Sequence, residues 1–263
     1  MQSINRAGSR RTSSLRGILA GSLLLVTVCQ ARAAASASAE EKAASDEVQR
    51  LGGKVVVDEN KPEKPVVAVD LGQTSVNDHD LALLKSFPQL QSLNLTLTRV
   101  TDVGLEQLQG LSKLRELNLR HCQVVGSGLE RLKGLTGLRS LNLGFTEITT
   151  ERMAHLKGLT QIQHLVLDAL TVRDAGLENL EGCTGLRELS LSGTQISDAG
   201  LVHLRSLAQL QGLSLVNTRI SDAGLKNLKG LSRLHDLFLE RTEVTDAGVK
   251  ELKKALPELV VHR

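Results

Sequence analysis

The chain has no tryptophan, no tyrosine and only three phenylalanines in 263 residues. Stacking platforms for single-stranded nucleic acid are thereby nearly excluded, and so are most cofactor pockets walled by aromatics. Three cysteines, spaced unlike any zinc signature, exclude a disulfide scaffold and a cysteine-rich metal module. There is no P-loop, no G-x-S-x-G and no H-E-x-x-H. The seven histidines do not cluster as ligands; His155 and His203 share one repeat position and read as solvated. No catalytic set, cofactor or metal is expected, so the chain reads as a non-enzyme.

Acidic residues are missing from the first 33 positions. Arg6, Arg10, Arg11, Arg16 and Arg32 all lie there, and they create the formal charge of +3. Beyond them 27 basic residues face 29 acidic ones, a balance of −2. That leaves no electrostatic footprint for nucleic acid or an anionic membrane. Residues 17–28 (GILAGSLLLVTV) are apolar but too short for a spanning helix, which needs about 20 such residues. With the small-x-small site Ala31-Arg32-Ala33 they predict a signal peptide over 1–33. The expected location is therefore secreted, periplasmic or cell-envelope. Val28 departs from the small residue that a lipid anchor on Cys29 would want. Residues 34–39 read as a flexible tether.

What is abundant is leucine at a fixed interval. A 24-residue period begins at Val66 and runs through eight copies to Pro257 without insertion or deletion. The pattern is L-x-x-L-x-L-x-x-T-x-[IV]-[ST]-D-x-G-L-x-x-L-x-G-L-x-x. Positions 1, 4, 6, 11, 16, 19 and 22 are apolar in every copy. Positions 3–7 alternate, which predicts a short strand. Positions 16, 19 and 22 predict a short helix with one apolar stripe. Ser or Thr at position 12 and Asp at position 13 are expected to cap that helix. One such unit cannot close a core; stacked units share one. Residues 40–65 read as an N-terminal cap of helix plus strand, and 258–263 as a closing strand.

This pattern resembles the leucine-rich repeat family, in its short T-D-A-G-L form found in secreted bacterial proteins and in F-box repeat arrays. The resemblance covers residues 66–257. It implies an α/β right-handed solenoid or horseshoe, with a parallel sheet on the concave face and short α-helices on the convex face. It also implies that Thr74, Thr98, Thr146, Thr194, Thr218 and Thr242 form a buried ladder to the turn backbone, and that the protein binds other proteins.

In a solenoid the variable positions carry the information. Positions 5, 7 and 8 of the strand segment project from the sheet or its rim. The candidate partner-binding residues there are Leu97, Arg120, His121, Phe145, Val166, Asp168, Phe238, Glu240 and Arg241, with His164 at position 3. Phe145 and Phe238 are the expected exposed anchors. His164 and Glu188, one strand apart, are close enough to pair. Strands lined by Asn and Ser do not obviously form a deep pocket, so an unidentified protein is the expected partner, bound by a monomer. A cell-envelope structural or glycan-binding protein is the alternative. The middle copies break the pattern at Cys122, Gly126, Thr150, Arg152 and Leu170, either as a binding centre or as drift.

Overall fold

A computed structural model describes residues 39–263. The predicted signal peptide, Cys29 and residues 34–38 of the tether lie outside the described residues. By internal contacts, residues 1–43 and 44–263 separate into two units; the repeats form the second. Among the described residues no helix is long and apolar enough to cross a membrane.

The core follows from the repeat. Every apolar slot is buried except Val249 and Ala255, both in the last copy, where no further repeat covers them. Residues 39–50 form a helix, α1, and its Ala44 and Val48 join the core. A hairpin-like pair follows: β1 (Lys54–Val57) lies antiparallel to β2 (Val66–Asp70). Then come β3 (Ser92–Asn94), β4 (Glu116–Asn118), β5 (Ser140–Asn142), β6 (His164–Val166) and β7 (Glu188–Ser190). The sheet ends with β8 (Gly212–Ser214), β9 (Asp236–Phe238) and β10 (Val260–His262). All ten described strands form one sheet in sequence order, and every pair from β2 onward is parallel. Each repeat is therefore offset from its neighbour by exactly one strand, and like positions sit side by side.

The helical segments depart from the α-helix expected. From Asp80–Ser86 to Gly200–Leu204 they are 3-10 helices. Short α-helices occur at α2 (Asp222–Leu225) and α3 (Asp246–Lys253). The sequence spacing explains this. Apolar residues at 16, 19 and 22 recur every three residues, which is the 3-10 period, and only that turn holds all three on one line.

The aspartates also act differently from the expected caps. Position 13 of one copy accepts from position 12 of the next. Asp78 accepts the Thr101 N–H and hydroxyl, both at 2.7 Å. Asp174 does the same for Ser197, Asp198 for Ser221 and Asp222 for Thr245. Side-chain caps are made by Ser221, to Ala223 N–H, and Thr245, to Gly248 N–H. The glycine at position 15 belongs to the same device. A Cβ on Gly200, Gly224 or Gly248 would stand 2.0–2.5 Å from the preceding copy's aspartate oxygen. The bonds from Thr245 hold the Asp222 carboxyl below its ordinary pKa.

The threonine ladder is present. Each of the six hydroxyls donates to the carbonyl three residues earlier, at 2.6–2.7 Å. Cys122, in that slot, donates its thiol to Leu95 O in the preceding repeat at 3.0 Å. Cys122 and Cys183 are buried free thiols, and burial raises both pKa values.

Candidate recognition surface on the sheet face

Two places on the sheet face stand out. The first is at position 8, just beyond each strand. The chain is left-handed there in all eight copies: φ lies between +55° and +61° at Gln73, Leu97, His121, Phe145, Ala169, Asn217 and Arg241, and at +70° in Gly193. The conformation has a local purpose. It turns the chain out of the strand while the position-8 N–H still bonds the next repeat, as from Leu97 to Arg120 O and from Phe145 to Asp168 O. Glycine and asparagine adopt it most cheaply; other residues lose about 1–2 kcal/mol to it.

Leu97, His121 and Phe145 nevertheless occupy three consecutive copies of this turn. Leu97 is 50 % exposed and Phe145 42 %. The Arg120 guanidinium carbon lies 4.1 Å from the centre of the Phe145 ring, and the His121 ring lies 4.5 Å from it. The result is a ledge of one aliphatic, one imidazole and one phenyl group on adjacent strands, with a cation over the last.

The second place is a cleft of about 740 Å³ over β6–β9, where no deep pocket was expected. Position 3 explains it. That position holds Ala68, Ser92, Glu116, Ser140, His164, Glu188 and Asp236 in other strands, but Gly212 in β8. Val166 and Phe238 bound the cleft, and Ser190 and Ser214 lie between them. Glu188 pairs with His164 at 3.0 Å. Asp236 accepts from His235 at 3.1 Å and lies 3.4 Å from His262; these contacts, His235 first, hold its carboxyl below the ordinary value.

The predicted site residues thus divide. Leu97, Arg120, His121 and Phe145 come together on the ledge; His164, Val166 and Phe238 line the cleft. Phe238 corrects the expectation of a freely exposed anchor: it is half-buried, with His262 of β10 stacked on one face at 4.2 Å. Asp168 is committed to the scaffold, accepting from the Ser190 hydroxyl at 2.5 Å and the Ser192 N–H at 3.0 Å. Glu240 is half-buried with Oε2 unpartnered, and its neighbour Arg241 is exposed. Sequence reasoning missed the cleft residues Ser190, Gly212, Ser214, Arg233, His235 and Asp236. The signal was the single glycine at position 3.

The asparagines at position 5 are likewise structural. Asn94, Asn118 and Asn142 each accept the N–H two residues on, bending the strand into the turn. Among the described residues no group of three His, Cys, Asp or Glu could hold a metal ion.

A parallel sheet, one strand per 24-residue turn, with a threonine bond inside the turn and an aspartate ladder between turns, defines a repeat solenoid. The leucine-rich repeat family profile matches residues 88–108, 110–133 and 182–207. The chain is similar to internalin C2 of Listeria monocytogenes at 25 % identity and a TM-score of 0.61, over 76 % of this chain and 86 % of that one. It also aligns with a leucine-rich repeat protein of Leptospira interrogans at 17 % identity and a TM-score of 0.46, over 74 % of this chain and 59 % of that one. No curated protein matches its sequence. Three stretches of the chain thus match leucine-rich repeats, and its α/β solenoid is the architecture of a leucine-rich repeat protein.

Proposed function

We propose that this protein is an exported, non-catalytic module that recognises a partner protein on its sheet face. One observation carries the reading. At position 8 the backbone favours glycine or asparagine, yet three adjacent copies hold Leu97, His121 and Phe145, with two large apolar side chains left in solvent. Residues kept against local backbone preference at an exposed edge are kept for what they present. Arg120 adds a half-buried cation over the Phe145 ring. His164, Asp168, Glu240 and Arg241 set the charge pattern along the rest of the face, and Val166 and Phe238 add apolar area. The leader of residues 1–33 supports export.

The test is affinity capture from envelope and secreted fractions. The baits are the protein and its Leu97→Asn, Arg120→Ser, Phe145→Asn variant. A protein held by the first and lost by the second is the expected result. Equal capture by both would move recognition off the ledge and overturn the reading.

A further inference from the structure

We propose that the cleft over Gly212 receives a basic side chain of the partner, its stem along Phe238 and its charge beside Glu188. This deepens the reading of protein recognition and rests on it. The geometry follows from the strand order. β10 lies on the far side of β9, so His262 covers the outer face of the Phe238 ring. The inner face looks over β8 and β7, whose residues at the same position are Ser214 and Ser190. These short side chains leave a slot about three strand spacings wide, roughly 14 Å from β9 to β6, before Val166 closes it. A planar guanidinium or a lysine stem fits a slot with one aromatic wall.

Charge selects the occupant. Position 3 along the mouth reads Glu188, Gly212, Asp236, so two carboxylates flank the gap. Asp236 is already engaged by His235 and His262. Glu188 gives one oxygen, Oε2, to His164, and Oε1 has no hydrogen bond among the described residues. One cation, Arg233, also lines the cleft, and its Nη1 donates to Gln209 Oε1 at 2.5 Å. An incoming cation therefore meets a carboxylate oxygen, serine hydroxyls and an aromatic face, whereas an acidic group would meet Glu188 and Asp236.

The full-length protein would be titrated with acetyl-Gly-Ala-Arg-Ala-Gly-amide while amide resonances of β7–β9 are followed by NMR. The same peptide with citrulline, a neutral isostere of arginine, and the disaccharide cellobiose are the comparison probes. The arginine peptide is expected to shift Gly212 and its neighbours saturably, and the citrulline peptide to bind more weakly. Glu188→Gln should weaken the arginine peptide about three-fold, the scale of an exposed ion pair. Gly212→Phe should abolish the shifts. Its Cβ would sit in ordinary contact with Glu188 Cγ at 3.6 Å, so it plugs the slot without disturbing the strand, and an unchanged melting curve would confirm that. Equal binding of arginine and citrulline peptides, preference for cellobiose, or arginine binding that survives Gly212→Phe would each overturn the proposal. These outcomes are independent of the ledge, whose failure appears instead as capture insensitive to Leu97, Arg120 and Phe145.

Discussion

The junctions late in the array and the junction between the third and fourth copies solve one problem in two ways. Asp174, Asp198 and Asp222 each grip the next copy's Ser or Thr, and a glycine three residues later makes room for the carboxylate. At the third-to-fourth junction Gly126 replaces the aspartate, and Arg152 replaces the glycine it would have required. A Cβ on Gly126 would meet Arg152 Cβ at 2.9 Å. Thr149, with no aspartate to reach, donates to Glu151 in its own copy at 2.6 Å. One junction further, Thr150 replaces aspartate and still accepts the Arg173 N–H at 3.0 Å. The break in pattern is a reciprocal exchange on the helical side. It lies in the same copies as the ledge but on another face of the repeat.

The contrast can be broken in graded steps. Leu167→Ala, in the core that both regions share, should cost about 2–5 kcal/mol in denaturant melts. Gly224→Ala drives a Cβ to 2.3 Å from Asp198 Oδ1 and should cost about 1–3 kcal/mol. Adding Asp198→Ala should recover part of that loss, a coupling of about 0.5–3 kcal/mol in a double-mutant cycle. The third-to-fourth junction should show the mirror image, with Gly126→Asp harmful alone and relieved by Arg152→Gly. Phe238→Ser should lose about 1 kcal/mol with its imidazole stack, whereas Phe145→Asn should range from neutral to about 1 kcal/mol stabilising, relief of the left-handed backbone outweighing the lost Arg120 and His121 contacts.

Acid provides a further handle. The Asp222 carboxyl is depressed by Thr245, so its contribution is complete above the ordinary carboxyl pKa near 4 and is lost as pH falls through its lowered value. Asp222→Asn should therefore flatten the decline of melting temperature below pH 4. Glu251, held at about 2 by Lys254 and Lys229, is an exposed pair, and Glu251→Gln should change melting least.

The repeat, its register and its buried slots were legible in the sequence because each rests on local periodicity. The 3-10 turns were written in the spacing of three but not read from it. The aspartate ladder was not legible, because its partners lie 23 residues apart and one repeat alone looks like a capped helix. On the sheet face, position 8 was found as a rim, while its left-handed backbone was not. That conformation makes Leu97 and Phe145 costly occupants of their positions. Phe238 was misjudged because its cover, His262, comes from the closing strand. The cleft was missed because it arises from one absent side chain, at Gly212, between two neighbours that have them.

The most direct measurement is binding of the captured partner to two altered proteins beside the parent. One carries Leu97→Asn, Arg120→Ser and Phe145→Asn; the other carries Gly126→Asp with Arg152→Gly. Loss of binding in the first, with parental affinity in the second, is the predicted result. Parental affinity in the first and loss in a folded second protein would contradict the account and make the irregular junction the recognition site.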